Sequence, residues 1–597
     1  MTSRRILIGI LALTAAVYLP GVFLHDFVSL DDLLLIVQND KVHGLNPRNI
    51  FQVFRSYDPE LYVPLTLMTY QMEYTLTGLH PYLYHFDNLL LHLGSITLVF
   101  FVMKRLKLSD GAALFIATLF ALHPLQAEAV SWAAARKDLL SGFLVLLSVL
   151  LFLRYRDTGS KRSYGWSIAI YVLALLSKVS IILIPFSILL LDLIRRDFRF
   201  RKGLPAGRQA LIEFMPFGIA AVFFGIIAMF GKTLQLKELT LMEQFLLSCK
   251  GLGFYLWKFF APTGLTVYQP QFSPVTIAAP ESIIAIVMVL ALIVAAWTAR
   301  KRFPHFAFGL ALYTLAVAPS FMNFWKKGTL YFASDRYVYI GIIGIALAAV
   351  TIVLPLLDRI STRMRAIIGT ILLVIMTGTS FAQAMTWSDS AALYTRALKL
   401  HPDFSVAMNN LGAAQYQNGK KEEALATYER ARATDPTLTS ASVNIALYWR
   451  KEGDPQRAME AIQAGLQAIP EGRPAFDEEI KAWNILGLLY DERGMHEEAL
   501  TAYRKAVERA PESADAHYNL GVTTQKYGLL PEARDHFAEY LTIKPRDLEA
   551  RYRLAAVQAE LGMLPDAAKN LQIILYEDPE YENAQQHLER ITKMMEQ

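Results

Sequence analysis

Two adjacent aspartates, Asp31 and Asp32, follow the first apolar run of the chain in the stretch FVSLDD. Paired carboxylates beside a membrane-length segment are costly without a role or a partner. One chemical role is a general base that takes a proton from a hydroxyl, its pKa tuned by the local field; another is ligation of a divalent metal. The competing account is a cap, with Ser29 or Asp31 opening a surface helix that runs to Leu35. A second acid stands in HPLQAEAVSWAAARKD, where Glu128, Trp132 and Arg136 fall at i, i+4 and i+8 beside His123-Pro124. Glu128 could face the aspartate loop while Arg136 or Lys137 meets a phosphate. The alternative is an ion-paired entry to the span that begins at Leu139.

Cations recur at the same level. Lys178 sits at a turn between two short apolar runs, where it either snorkels or pairs with a lipid phosphate. Asp335 and Arg336 open a span in YFASDRYVYI; the guanidinium fork suits phosphate, and Tyr337 and Tyr339 would otherwise serve as interfacial anchors. In YHFDNLLLH, His85, Asn88 and His92 lie at i, i+3 and i+7 and share one helix face. That is not the i, i+4 spacing of a helical metal pair, so hydrogen bonding between helices is the default role and donor binding the second. The candidates therefore divide into acids (Asp31, Asp32, Glu128), phosphate-binding cations (Arg136, Lys178, Arg336) and supporting groups (His85, Asn88, His92, His123, Lys137, Asp335). Together they suit a lipid-linked anionic donor and an acceptor that must lose a proton.

The elements that must position these groups are apolar. The chain has 597 residues, 54% hydrophobic and only 19% charged, with a net charge of +5 and a mean hydropathy of +0.30. Its single cysteine, Cys249, excludes an internal disulfide framework and a cysteine-based zinc site. From Trp387 onward 24 basic residues face 33 acidic ones, a balance of −9; the preceding part holds 34 and 20, a balance of +14. The two parts live in different solvents. Nucleic-acid binding is not expected, because the basic excess lies between apolar segments.

Runs long enough to span start near Ile6, Tyr84, Gly111, Leu139, Gly165, Val179, Phe214, Ser282, Phe306, Tyr337 and Ala366, eleven in all. They are expected to be helices, since lipid leaves no backbone group unpaired. Six basic clusters (4–5, 104–107, 154–162, 195–208, 300–302 and 359–365) hold 21 basic residues, against four acids in or beside them, Asp110, Asp157, Asp197 and Asp358. Placing all six in the cytoplasm requires an even number of spans between neighbours. Residues 165–194 then form a helical hairpin turning near Ser177-Lys178. Residues 241–261, with Lys250 and Lys258, become re-entrant or interfacial. The first span is expected to be an uncleaved anchor rather than a signal peptide. The outer side receives 25–83, 122–137, the Ser177-Lys178 turn, 231–280, 323–336 and everything from Trp387 onward.

That last part repeats. Pro402, Pro436, Pro470, Pro511, Pro545 and Pro579 are separated by 34, 34, 41, 34 and 34 residues, the tetratricopeptide (TPR) period. Leu411-Gly412, Ile445-Ala446, Leu486-Gly487, Leu520-Gly521 and Leu554-Ala555 occupy one helical site. Ala424, Ala458, Ala499, Ala533 and Ala567 occupy another. The organisation is thus all-α: a polytopic membrane domain over 1–386 and a TPR solenoid over 387–597. The solenoid has a half repeat at 390–402, repeats at 405–436, 439–470, 480–511, 514–545 and 548–579, and a capping helix at 582–597. The longer spacing reads as an inserted turn at 471–477. TPR arrays bind peptides or partner helices, and the alternative is a stabilising scaffold. Asn409, Asn410, Asn444, Asn484 and Asn519 recur at inward-pointing sites, where they would grip a peptide backbone or pair between repeats.

These motifs, in this order, resemble the transmembrane-and-TPR O-mannosyltransferase family and its bacterial relatives, within the C-type (GT-C-like) membrane glycosyltransferases. The matching pieces are DDLLLIVQND, VPLTLMTYQMEYTLTGLHPYLYHFDNLLLH, HPLQAEAVSWAAARKDLL, LLSKVSIIL and SDRYVYI, followed by the repeats. Two positions depart from the family pattern. Val63 stands where Arg often precedes Pro-Leu, and Val179 stands where Glu often follows the lysine. The resemblance implies a polyprenyl-phosphate sugar, mannose among the candidates, with its phosphate near Arg336, Lys178 or Arg136. It implies an acceptor hydroxyl on a protein Ser or Thr, and Asp31 or Asp32 as base or as holder of Mg or Mn. No other cofactor is implied. The expected partners are that donor, membrane lipids and an acceptor protein held by the repeats. The expected location is a bacterial inner membrane with the N-terminus cytoplasmic and the repeats periplasmic. An endoplasmic-reticulum membrane with lumenal repeats is the alternative, disfavoured by the absence of an Asn-x-Ser/Thr sequon and of a retention signal. The competing functions are a non-catalytic TPR scaffold for envelope assembly and a glycan ligase. A transporter fits poorly, because the notable charges sit at the rim and no internal repeat is visible in the membrane part.

Overall fold

The computed structural model describes residues 2–58, 61–195, 206–231, 239–322, 324–326, 329–470 and 476–596. Contacts divide the chain into two compact units, Met1–Pro402 and Asp403–Gln597. Residues 387–402, grouped with the repeats from their sequence, pack in the first unit.

The first unit is built of helices because its backbone groups must pair within each segment. Among the described residues seven helices are long and apolar enough to cross a membrane: Thr2–Leu24, Pro81–Arg105, Ala133–Thr158, Ile212–Phe230, Pro280–Ala299, Pro304–Phe321 and Thr362–Met385. An eighth arises if Asp110–Leu122 and Pro124–Ser131, bent by 53° between them, count as one span. Of the eleven expected runs, seven or eight meet this standard among the described residues, and the others are shorter helices. The hairpin is made of Lys161–Ser177, which carries two basic residues in its first turn, and the apolar segment Val179–Leu190. The segment expected from Tyr337 is the 17-residue helix Gly341–Leu357. At 1.5 Å per residue, 17 residues reach about 25 Å, short of a hydrocarbon core of about 30 Å. Leu241–Phe260 is a continuous helix with a full capping box at Thr240 and Glu243. The 195–208 cluster lies largely outside the described residues, as does most of the inserted turn.

Small residues set the tightest crossing. A Cβ on Gly309 would come within 2.5 Å of the Gly344 carbonyl oxygen, and one on Gly344 equally close to that of Gly309. Helices Pro304–Val317 and Gly341–Leu357 therefore touch backbone to backbone. The loops contribute a small antiparallel sheet, with Thr329–Ala333 between Gln269–Pro270 and Trp325–Lys326.

The second unit is five helix pairs, from Ser405–Gln417 with Lys421–Thr434 to Leu548–Glu560 with Leu564–Glu577, followed by Glu582–Met595. Ala424, Ala458, Ala499, Ala533 and Ala567 are all fully buried. At Gly412, Gly487 and Gly521 an added Cβ would strike the ring of Tyr428, Tyr503 or Phe537 of the paired helix. Each first helix ends in a glycine with positive φ, at 419, 453, 494, 528 and 562, the left-handed stop that a residue with a Cβ adopts at a cost.

Candidate functional site

Asp32 is wholly buried, and both of its oxygens accept backbone amides, Oδ2 from Val28 at 2.9 Å and Oδ1 from Ala134 at 2.7 Å. Burial, reinforced by the neighbouring Asp31 charge, pushes its pKa up to about 7 against the pull of those amides and Lys137. Asp32 thus staples its loop to the turn 133–135. Asp31 is the accessible member of the pair. It meets Lys137 Nζ at 3.0 Å, with 14% of its side chain exposed. This arrangement does not suit a divalent cation. One carboxylate is occupied by N–H donors and the other faces an ammonium, and among the described residues no three acids, histidines or cysteines gather at metal-binding distances.

Glu128 faces Arg336 at 2.5 Å and accepts the Ser334 hydroxyl at 2.7 Å. The Arg336 guanidinium also donates to Tyr337 Oη at 3.3 Å. Its Nε is buried without a hydrogen-bond acceptor among the described residues. Lys178 meets Asp138 at 2.5 Å and lies 5.5 Å from the Tyr337 ring centroid. Burial, with Arg336 and Lys137 nearby, lowers the Lys178 pKa to about 8 although Asp138 opposes it. Trp132 joins the pairs. Arg336 lies 4.7 Å and Lys137 5.4 Å from its centroid, and Trp387 stacks on it at 5.4 Å. Asp335 is buried against the Glu128 charge, which together hold its carboxyl well above the usual range. Three acids and three bases therefore converge on two aromatic rings, with Asp32 and Asp335 tending towards their neutral forms at the edges.

Arg136 is not open to a phosphate. It is 1% exposed and donates to Asn88 Oδ1 at 2.5 Å, the Tyr84 carbonyl at 2.6 Å and Thr69 at 3.3 Å. It also pairs with Glu73 at 2.7 Å. With all three guanidinium nitrogens engaged, Arg136 pins helices Pro64–Thr77 and Pro81–Arg105 to the turn that holds Asp32. Asn88 completes the brace through Trp132 O at 2.8 Å. His92 bridges Tyr339 Oη and Ala121 O, and His123 reaches Phe259 O. His85 lies edge-on to His25 at 5.5 Å. These histidines act between elements rather than in the ion-pair cluster. Glu73 and Asp138 escaped the sequence reading. Asp138 had a signal, an acid beside Lys137 at the mouth of a span.

In the repeat unit, Asn444 donates to Asn409 at 2.8 Å and Asn409 to Asn410 at 3.3 Å. These amides bridge first helices, while Asn484 Oδ1 is buried without a hydrogen-bond donor among the described residues. Asn519 lends its carbonyl to Thr523. A groove of about 570 Å³ is lined by Tyr416, Tyr428, Asn444, Tyr448 and Lys451, among others. Asn444, Leu447, Tyr448 and Lys451 come from one face of a single helix.

Family models described as TPR repeat and tetratricopeptide repeat match residues 487–528 and 375–438. The chain is similar to protein O-mannosyl-transferase TMTC2 of Homo sapiens, 35% identical over 18% of this chain and 13% of the relative. It is similar to TMTC1 of Homo sapiens at 32% over 24% and 17%, and to TMTC4 of Mus musculus at 37% over 17% and 16%. The matches thus span less than a fifth of those relatives' lengths. Among solved structures, YrrB, a TPR protein with an unusual peptide-binding site, is 20% identical, covering 33% of this chain and 98% of its own with a TM-score of 0.28. MamA is 19% identical, covering 28% and 95% with a TM-score of 0.25.

Proposed function

We propose that this chain, a relative of the transmembrane-and-TPR protein O-mannosyltransferases, is an integral-membrane glycosyltransferase. It moves a sugar, mannose in the first instance, from a polyprenyl-phosphate donor to a Ser or Thr hydroxyl of a protein on the extracytoplasmic face. The repeats hold that protein, and the tyrosine-lined groove offers a place for it. The observation that carries the reading is an accessible carboxylate, Asp31, paired with Lys137, and a buried guanidinium with a spare donor, Arg336, where both cations lie over the Trp132 ring, Lys137 at 5.4 Å and Arg336 at 4.7 Å from its centroid.

The chemistry follows from those positions. Arg336 and Lys178 take the donor phosphate, whose charge replaces part of their pairing with Glu128 and Asp138. Asp31 accepts the proton of the acceptor hydroxyl as its oxygen bonds to the anomeric carbon. The bond from that carbon to the phosphate oxygen breaks, and polyprenyl phosphate leaves with the electron pair. Low dielectric around the cluster strengthens each of these charge interactions. Asp32 and Arg136 position the groups and touch neither substrate.

The test is transfer by purified protein from polyprenyl-phosphate mannose to an envelope-protein fraction. Asp31→Asn is expected to lower kcat by about a hundredfold or more, the scale of losing a positioned base, with insertion and yield unchanged. Transfer at the wild-type rate would remove Asp31 from the mechanism.

A further inference from the structure

Ser390 and Tyr394, at i and i+4, form one stripe of helix Ser390–Leu400, and Trp387 lies in the turn that joins that helix to the last span. In a repeat array, such a stripe would pack on the next helix. Here it closes on the loop that carries the aspartates. The Ser29 amide donates to Ser390 Oγ at 2.8 Å, and Tyr394 Oη donates to the Ser29 carbonyl at 2.9 Å. Both backbone polar groups of one residue, two positions before Asp31, are thus held by side chains one helical turn apart. Three residues further back, the Asp26 amide donates to the Ser388 carbonyl at 2.8 Å. Leu393 shares an apolar cluster with Val28, Leu35 and Trp132. Trp387 stacks on Trp132 with 23° between the planes, and over the Trp132 ring lie both Lys137, the partner of Asp31, and Arg336, the partner of Glu128.

We infer that this helix belongs to the catalytic apparatus, with Trp387, Ser390 and Tyr394 as positioning residues that fix the Asp31 loop and the Trp132 ring relative to each other. The inference rests on the role given to Asp31 above. Its physical basis is that the clasping side chains are buried. Tyr394 and Trp387 are fully buried and Ser390 nearly so, which strengthens their bonds to the half-buried Ser29. Asp32 anchors the loop from the opposite side through Val28 and Ala134. The clasp from the helix and the staple from Asp32 together leave Asp31 few alternative positions.

The experiment uses the full chain in lipid nanodiscs with Ser390→Ala, Tyr394→Phe and the double variant. Two quantities are read: backbone hydrogen exchange over 26–32, with 84–92 as internal control, and mannose transfer from polyprenyl-phosphate mannose to an envelope-protein fraction. In the double variant, exchange over 26–32 is expected to rise about tenfold with the control unchanged. The kcat is expected to fall about tenfold while the donor KM stays within twofold, as befits a displaced base rather than a lost contact. Unchanged exchange overturns the inference, as does equal acceleration in both peptides, and so does lost protection with kcat intact. A wild-type chain that transfers no sugar overturns the functional reading instead, whatever the exchange shows.

Discussion

In the membrane unit, Arg136 and Glu73 meet at 2.7 Å with side chains 1% and 2% exposed. In the repeat unit, Arg504 and Glu532 meet at 2.8 Å with 47% and 30% exposed. The two contacts are nearly the same length and differ in what they cost. A pair taken out of water loses several kcal/mol of hydration per ion, which only good geometry and further hydrogen bonds restore. A pair left in water costs little and contributes little. Four pairs in the first unit (Arg136–Glu73, Lys137–Asp31, Lys178–Asp138 and Arg336–Glu128) are of the costly kind, each joining residues at least 40 positions apart. Hydrophobic side chains would have made those contacts more cheaply. On the function proposed above, the retained charges lie in the site or brace it. In the repeats, stability comes from the alanine and aromatic seam, and the charges decorate it.

The sharpest way to break this contrast is to remove one partner of the most buried pair. Arg136→Ala leaves Glu73 buried without its countercharge and frees Asn88 Oδ1 and the Tyr84 carbonyl. A loss of about 3–5 kcal/mol is expected, enough to prevent recovery of folded protein. Stable expression with wild-type hydrogen exchange over 64–92 would show that the brace is dispensable. The conservative Glu73→Gln, which keeps a hydrogen-bond acceptor for Arg136, is expected to be milder.

A smaller effect separates Lys178 from an ordinary surface lysine. Burial lowers its pKa to about 8, so the ammonium is present below that pH and is lost as pH rises through it. The donor KM is therefore expected to climb between about pH 7.5 and 9 while kcat changes less, with a Lys178→Arg variant flat over the same window because guanidinium stays charged. A pH-independent KM in the wild type would separate Lys178 from the phosphate.

The contrast also explains what could be read beforehand. The repeat pattern was legible, since a period of 34 residues, stretched once to 41, states the packing five times over, with alanine at the Ala424 site and glycine or alanine at the Gly412 site of each copy. Asp31, Glu128 and Arg336 were legible as types, because charge beside an apolar span is rare enough to notice. Their pairing was not. Glu73 looks like any polar residue of an amphipathic helix until Arg136, 63 positions on, turns out to face it. Asp32 and Arg136 resembled reacting groups, and only the backbone partners of Asp32 and the engaged nitrogens of Arg136 point to the bracing role proposed for them. Helix Ser390–Leu400 matched the repeat pattern, and nothing in its periodicity tells that its stripe turns to Ser29. The span count exceeds the number of long helices for a related reason: basic loops fix parity but say nothing of length, so the shorter apolar helices Val179–Leu190 and Gly341–Leu357 were counted with the long ones.

The smallest expected effect lies in the repeats. Arg504 holds Glu532 through two bonds, at 2.9 and 2.8 Å, and joins helix His496–Arg509 to helix Leu530–Ile543. Both side chains remain in solvent, so the Coulomb gain is screened and offset by the entropy of ordering two long side chains. Arg504→Ala is expected to cost less than about 1 kcal/mol, read as a change of no more than about fivefold in hydrogen exchange over 496–543 in the full chain, and to shrink further in high salt. Ala499→Leu in the same helix pair, by contrast, puts a large side chain into a fully buried seam and should cost about 1–3 kcal/mol with no dependence on salt. If the exposed pair proved the costlier of the two, charge rather than the small-residue seam would be what holds the repeats together, and the division between the two units drawn from their ion pairs would fail.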